Sequence, residues 1–354
     1  MDDMLPHFDL TSWYINQRRV LELVGHDAVA GGFTLAKIQP TENLKVIAIN
    51  SAFQDALTRW LDEREPKTLG QLVILDDIAP GRIFTCYTNW FFKGLSEVSK
   101  AIERGATLVP PAIAYAKLDD FRQGWKIECR FQHEHFTARS SWNELRGQKR
   151  LIVVGLITDV KDTTIEAVPY VIANPAPSWD KPQSAIGKFW INRLECFVDQ
   201  IETFQAVRGN EARMTKNDLK RLEGVSEHEV KRAFAEIIGE PTVPKDWGGE
   251  RSDLFTTRLV IDGQRISAAF AFKGPAQFKP MTMKELGKNG DQIDRLFSEP
   301  ADILLLQHCH EITGPVRGAM RAYAQQMGNP RIFCLIDGYD TIRILQAYGK
   351  CGFG

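Results

Sequence analysis

The dipeptide Asp262-Gly263 lies between two apolar runs and constrains the fold more than any other feature of the sequence. The runs SDLFTTRLVI and QRISAAFAFK read as strands, and Asp-Gly between two such strands indicates a hairpin with a two-residue turn. In that register residues whose numbers sum to 525 face each other, so Asp253 lies opposite Phe272 and next to Lys273. The sequence therefore predicts that an acid and a lysine meet at one end of a single hairpin.

Strict pairing creates a conflict between the two charged side chains. It places Asp253 on the apolar face with Phe272, whereas Lys273 shares the opposite face with Ala271. We therefore predict an irregularity of one residue, either a bulge close to Asp253 or a three-residue turn, because bulges are frequent beside active sites.

The pattern from residue 226 onward is regular. Ser226 and Glu229 form a capping box at the start of a helix that ends at Gly239 and Pro241. The hairpin comes next, and it is followed by a helix in MTMKELGKNGDQIDRLFS, a strand in ADILLLQHCHEI, a helix in GPVRGAMRAYAQQM and a strand in RIFCLIDG. The predicted order is helix, hairpin, helix, strand, helix, strand.

The first half of the chain mixes helices and strands, which predicts an α+β domain over residues 1–175. Strands are expected in LKVIAIN, WKIECRFQHEHF, RLIVVGLITDV and EAVPYVIA, and helices in SWYINQRRVLELV and SAFQDALTRWLDER. Pro175, Pro177 and Pro182 indicate a domain junction. The spacing of Phe189, Phe197 and other apolar residues then predicts a connector helix within 176–225, before a second domain over 226–354. The first domain would recognise a target or sense a trigger.

Composition excludes few functions. The formal net charge of −1 argues against indiscriminate coating of nucleic acid or anionic membrane, but it permits a local basic patch. The six cysteines are scattered without a C-x-x-C pair, which fits a reducing compartment. The longest apolar runs are of strand length, and the first residues do not read as a secretory signal. We therefore expect a cytoplasmic protein that does not enter a membrane.

An acid and a lysine at one strand end, with backbone carbonyls nearby, can bind a hard divalent cation and position water for attack on a phosphate. The alternative is a surface ion pair at the end of the hairpin. The order of elements favours the first interpretation.

The segment from about 226 to 350, a little over one third of the chain, resembles the PD-(D/E)XK superfamily of restriction-endonuclease-like nucleases. The resemblance rests on GGERSDLF, on AAFAFKG and on the order of elements around them. It implies a central mixed sheet flanked by helices and hydrolysis of DNA with Mg²⁺ or Mn²⁺, in prokaryotic defence or DNA processing. By position, it implies Asp253 as a metal ligand, the carbonyl of Phe272 as a further ligand, and Lys273 as the residue that positions water.

The sequence departs from that family at Ala271, because members usually carry Glu or Asp two residues before the lysine. Some members move the missing carboxylate to a neighbouring helix, so Asp291 is our preferred substitute and Glu250 the next. The further candidates are Glu229 and Glu236 on the preceding helix and Glu285 and Gln292 on the following one. Each of these has an ordinary alternative as a solvated helix residue.

Four lysines within sixteen residues, Lys273, Lys279, Lys284 and Lys288, are expected to contact phosphates. A loop kept soluble by its charge is the alternative for this cluster. DNA is the expected partner, and RNA and a homodimer stay open. The competing function is an inactive nuclease-like module that binds nucleic acid or a partner protein without cleavage.

Two histidine pairs are candidate metal ligands. His133 and His135 are expected on one face of a strand, and His308 and His310 repeat the spacing. Zinc needs at least a third protein ligand, so hydrogen-bonded histidines at strand ends are the favoured interpretation. Cys334 in an apolar strand reads as a packed thiol.

Overall fold

The computed structural model describes residues 8–138, 141–178, 185–190, 192–209, 214–243, 251–287 and 291–353. Two of the expected site residues, Glu250 and Lys288, lie outside these ranges. Contacts divide the chain into two compact units between residues 184 and 185, with Gln326–Asn329 counted in the first unit. Helices and sheets occur in both, which confirms the mixed α/β class. No described helix is both long and apolar enough to cross a membrane.

The first unit is built around a closed barrel. Its elements are β1 (Phe8–Ile15), α1 (Gln17–Val24), α2 (Ala30–Lys37), α3 (Glu42–Arg64), α4 (Leu69–Ile74), β2 (Ile83–Lys93), α5 (Leu95–Glu103), β3 (Ala112–Lys117), β4 (Lys126–Phe131), α6 (Ser141–Glu144), β5 (Gly147–Lys161) and β6 (Thr164–Pro177). Strand β2 pairs with β3 and β5, β3 pairs with β4, and β6 pairs with both β4 and β5. Only the β4–β6 pairing is parallel within this ring, and β1 pairs with β6 outside it. The result is a five-stranded Greek-key barrel, the general architecture of OB folds.

The barrel interior is filled by alternate residues of its strands. Phe84 and Trp90 of β2, Ile127 and Phe131 of β4, and Val153 of β5 are each at most 2% exposed and belong to one apolar cluster. Since side chains alternate across a strand, the intervening residues of β2, β3 and β4 point outward. That outer face is only partly covered, because Tyr87, Phe91 and other residues of it retain exposure.

Helix α3 includes LKVIAIN, so the strand expected at 44–50 is wrong. Thr41 caps the helix by accepting a hydrogen bond from the N–H of Leu44 at 3.3 Å. Residues that recur at helical spacing, such as Phe53, Leu57 and Leu61, bury one face of α3. A short apolar run fits a strand and a helix equally well, and here the cap and the following helical pattern decide.

Helices α2 and α3 also expose an unusual number of apolar side chains. Six large hydrophobic residues there are 40–76% exposed: Phe33, Leu35, Ile38, Leu44, Val46 and Ile47. The two helices approach closely at Gly32, where a Cβ would lie 2.2 Å from that of Ala52. The exposed residues form what we call the α2–α3 apolar surface.

The second unit is a five-stranded mixed sheet flanked by helices. Its elements are α7 (Ala185–Phe189), β7 (Glu195–Cys196), α8 (Lys216–Leu219), α9 (Glu227–Ile238), β8 (Leu254–Ile261), β9 (Gln264–Lys273), α10 (Asp291–Phe297), β10 (Ile303–His308), α11 (Gly314–Ala324), β11 (Ile332–Ile336) and α12 (Gly338–Ala347). The strand order is β7-β11-β10-β9-β8. Strands β7, β11, β10 and β9 are parallel, and β8 pairs antiparallel with β9.

Aromatic packing joins α9 to β9. Phe270 and Phe272 are fully buried, and their rings stack at 5.6 Å. Phe234 of α9 contacts both rings edge-on, at 6.3 Å and 5.5 Å. Because Phe272 points into this core, the next residue, Lys273, points to the opposite face of the sheet.

Other expected elements also differ in the structure. The helix expected in SWYINQRRVLELV begins only at Gln17, because the residues before it belong to β1. Residues His133–His135 form a 3₁₀ turn after β4, so they are not the strand end that was predicted. The connector helix is replaced by α7, β7 and 3₁₀ turns at Val198–Gln200 and Glu202–Gly209. The single helix expected after the hairpin is a 3₁₀ turn, Met283–Leu286, ending at Gly287 with φ 84°, and a separate α10.

Candidate functional site

The hairpin has the two-residue turn and the irregularity that the sequence predicts. Asp262 and Gly263 both have positive φ, 52° and 72°, and Ile261 pairs with Gln264. The register shifts by one between Thr256 and Leu259, so two residues of β8 lie opposite one residue of β9. The bulge is thus confirmed, although it lies three to six residues from Asp253.

Side chains hold the bulge in place. The hydroxyl of Thr256 accepts a hydrogen bond from the N–H of Arg258 at 3.1 Å and donates to Glu240. Arg258 in turn donates to the carbonyl of Gly239 at 2.9 Å. These contacts tie the bulge to the end of α9, so its position is set by packing outside the hairpin.

Asp253 binds the backbone of β9 through its main chain and its side chain. Its N–H donates to the carbonyl of Phe270 at 2.8 Å, and its Oδ2 accepts from the N–H of Phe272 at 2.6 Å. The carboxylate therefore accepts a hydrogen bond that a backbone carbonyl would accept in a regular sheet, beside the last residues of β9. These two bonds fix the orientation of the carboxylate.

A second carboxylate, Glu227 at the start of α9, reaches the same strand. Its Oε2 accepts a hydrogen bond from the N–H of Gly274 at 2.7 Å. A Cβ on Gly274 would lie 2.7 Å from the Cβ of Glu227 and 3.1 Å from its nitrogen. Only glycine permits this approach, so the residue after Lys273 brings α9 against the end of β9.

The two carboxylates and one carbonyl lie along a single side of β9. In an extended strand the N–H groups of residues i and i+2 point to the same side, roughly 6.6 Å apart. The carbonyl of residue i points to that side too, so the carbonyl of Phe272 projects between the N–H groups bound by Asp253 and Glu227. The two carboxylates and the carbonyl all offer hard oxygen atoms as metal ligands. Such ligands suit Mg²⁺, a cation commonly held by one or two carboxylates and several waters. Among the described residues, no three His, Cys, Asp or Glu side chains form a metal group by themselves.

One lysine ends this strand, and another lies on the adjacent helix α9. Lys273, the last residue of β9, is partly exposed and forms no ion pair with a carboxylate of the described residues. Lys231 lies one helical turn after Glu227 on α9, where i and i+4 side chains are neighbours, and it is 1% exposed. The site therefore combines a half-buried acid and a buried lysine on α9 with a partly exposed lysine on β9.

His308 fastens the segment that follows Lys273. It pairs in register with Lys273 on the parallel strands and is 3% exposed. Its ring nitrogens contact the carbonyls of Lys273 at 3.3 Å and Lys279 at 3.0 Å. Burial lowers its pKa below the usual value, so the imidazole is neutral near pH 7 and donates to one of the two carbonyls. The structural interpretation of His308 is supported.

The carboxylates expected to replace the acid at position 271 have other partners. Glu229 accepts from the N–H of Ser226 at 2.8 Å as a helix cap, and Glu236 pairs with Lys350 at 2.8 Å. Glu285 caps Thr282 and pairs with Lys279 at 2.8 Å, and these bonds lower its pKa to about 2. Asp291 pairs with Arg295 at 3.6 Å, one turn along α10. The buried Gln292 Oε1 has no hydrogen-bond partner in the described structure.

The lysine cluster is partly neutralised. Lys279 is exposed but pairs with Glu285, as described above, and Lys284 is exposed on the 3₁₀ turn. Ala271 is buried, at 9% exposure, where the family pattern has a carboxylate. Sequence reasoning missed the acid Glu227. The sequence feature that could have indicated it is Gly274, directly after Lys273, because a glycine there allows α9 to approach the strand end closely.

The motif DGYD, also after a parallel strand, has a structural role. Asp337 caps α12 by accepting from the N–H of Asp340 at 3.0 Å, and Asp340 pairs with Arg343 at 2.8 Å. Burial raises the pKa of both carboxyl groups, that of Asp340 to about 6 with a further contribution from the Asp337 charge. This segment begins α12, a helix that the sequence analysis did not predict.

Comparisons of the chain with protein-family models, with curated proteins and with solved structures found no match.

Proposed function

We propose that the second unit is a metal-dependent nuclease that hydrolyses phosphodiester bonds of DNA. The observation that supports this most is the convergence of Asp253 and Glu227 on N–H groups either side of the Phe272 carbonyl, at the strand end that carries Lys273. Two carboxylates and a carbonyl match the ligands of Mg²⁺ or Mn²⁺. A bound divalent cation would neutralise phosphate charge and activate water for attack.

The residues of this chain have distinct roles in the proposal. Asp253 and Glu227 hold the cation, and their bonds to β9 keep them oriented. Phe272 contributes its carbonyl, which its buried ring fixes in place. Lys273 orients the attacking water and stabilises negative charge that develops on the phosphate. Lys231, buried beside Glu227, is a positioning residue.

Cleavage assays test this function directly. Purified protein is incubated with plasmid, single-stranded DNA and RNA in Mg²⁺, in Mn²⁺ and in EDTA. We expect DNA cleavage that needs the metal and that falls at least about 100-fold in Asp253→Asn, Glu227→Gln and Lys273→Met. The matched controls Glu236→Gln and Lys220→Met change an exposed acid and an exposed lysine, so they should retain activity. Cleavage that survives Asp253→Asn would remove the proposal.

A binding module without catalysis is the second candidate, and Ala271 favours it. A buried methyl group stands where the resembling family places a metal ligand. For this candidate we expect tight binding of nucleic acid or of a partner protein in EDTA and no products with any metal. The same assays therefore distinguish the two functions.

A further inference from the structure

The outer face of barrel strands β2, β3 and β4 combines aromatic rings with positive charge. Phe91 of β2 is the ladder partner of Tyr115 of β3, and both are partly exposed. Their rings stack, with centroids 5.2 Å apart and an interplanar angle of 20°. An exposed stacked pair on a sheet is a flat apolar platform that water solvates poorly.

Two cationic side chains lie over aromatic rings of this face. The ammonium of Lys93 lies 4.2 Å from the centre of the Tyr115 ring. The guanidinium of Arg150 on β5 lies 4.7 Å from the ring of Tyr87. Such cation–π contacts at exposed sites are weak, so the flexible Lys93 can leave the ring for a phosphate when a base stacks there.

Positive charge is concentrated on this face. Lys93, Lys117, Lys126 and Arg130 are exposed on the three strands, and Glu128 is the one acid among the described residues of the same outer face. Glu128 is already paired with Lys126, at 2.7 Å. The whole chain carries a formal charge of −1, so this excess is local.

One cross-strand pair brings two lysines together on this face. Lys117 lies directly opposite Lys126 on β3 and β4. Like charges at directly opposed positions destabilise a sheet. The ion pair of Lys126 with Glu128 offsets part of that repulsion, and a polyanion along the face would reduce it further.

We propose that this face binds single-stranded nucleic acid, with bases stacked on Phe91 and Tyr115 and phosphates paired with Lys93, Lys117 and Arg130. Unpaired bases fit better than a duplex because only they expose π-faces to aromatic side chains. The proposal concerns the first unit and does not depend on the nuclease site.

The test is fluorescence anisotropy in EDTA, where cleavage cannot occur, with labelled oligo(dT), oligo(U) and a DNA duplex of equal length. We expect both single strands to bind more tightly than the duplex, with an affinity that falls as salt rises. A preference between the two strands identifies the natural source. Phe91→Ala with Tyr115→Ala should weaken binding at least about 10-fold, because base stacking on such rings is lost. Lys117→Gln should reduce the slope of the logarithm of the binding constant against the logarithm of the salt concentration by about one.

Controls separate binding from folding and from catalysis. Phe91→Tyr with Tyr115→Phe keeps the stacked rings and should bind normally. Lys45→Gln, which removes a partly exposed lysine from α3, and Asp253→Asn should also bind normally. Failure of every strand to bind at low salt, equal affinity for the duplex, or normal binding by the alanine variant would each overturn the proposal. If Asp253→Asn loses cleavage but binds single strands as the wild type does, binding by the barrel face is supported separately from the nuclease site.

Discussion

Gly274 matters because it has no side chain. Its φ of −79° is open to any residue, so a substitution there introduces no backbone strain and acts only through contact with Glu227. We expect Gly274→Ala to push α9 away from β9, to lower the free energy of unfolding by about 1–3 kcal/mol and to impair cleavage. Urea denaturation and the cleavage assay measure both effects. Gly314→Ala, where a Cβ meets nothing within 4 Å, is the control and should be nearly neutral.

The carboxyl group of Asp340 makes stability depend on pH. Burial and the neighbouring Asp337 raise its pKa to about 6, so the folded protein keeps a proton that the unfolded chain releases near pH 4. The stability present at low pH is therefore lost as the pH rises from about 4 to about 6. We expect Asp340→Asn, which keeps an acceptor for Arg343, to be more stable than the wild type by roughly 1–2 kcal/mol at pH 8 and by little at pH 4.

Thermal unfolding at the two pH values measures the Asp340 effect. Glu63→Gln, a change at an exposed carboxylate of α3, should alter the melting temperature equally at both. A melting temperature of Asp340→Asn below that of the wild type at pH 8 would contradict the expectation.

At the scale of single residues, sequence reasoning predicted what local chemistry determines. Asp253 and Lys273 were placed at one strand end because turn chemistry fixes the hairpin register. Glu227 was missed because its contact with Gly274 joins residues 47 positions apart. Helix and strand periodicity do not predict contacts between residues so far apart in the sequence. Glu229, two residues later, was expected to supply an acid, but the capping box that the sequence also predicted accounts for its position.

The bulge in β8 is the element on which the position of Asp253 depends. Deletion of Thr257, an exposed residue at the register shift, should restore strict pairing from the turn to the strand end. Asp253 would then move by one position and lose its bond to Phe272. We expect a folded protein, by circular dichroism, that no longer cleaves DNA. Thr257→Val keeps the chain length and should remain active; an active deletion variant would show that the register is irrelevant.

Elements were predicted best where several signals agree. The hairpin, α9 and the strands β10 and β11 combine periodicity with caps or turn residues, and all are present. LKVIAIN offered only apolar residues, so the sequence could not distinguish a helix from a strand. The extra residue in β8 was expected on geometric grounds, but its place is set by Thr256 and Glu240, a contact that sequence does not display.

At the scale of the whole molecule, the near-zero net charge conceals opposed local fields. The outer barrel face carries four exposed cations on three strands, whereas the second unit gathers Asp253 and Glu227 at one strand end. The formal charge of −1 averages over these regions and predicts neither. Composition was therefore a weak guide, and the arrangement of charge had to come from strand pairing.

The α2–α3 apolar surface will affect how the purified protein behaves at the bench. Six large hydrophobic side chains at 40–76% exposure should retard the native protein on a phenyl column and should increase the fluorescence of the dye ANS. Either readout is commonly taken as a sign of misfolding. For this chain both are properties of the intact fold, so preparations should be judged by cooperative unfolding instead.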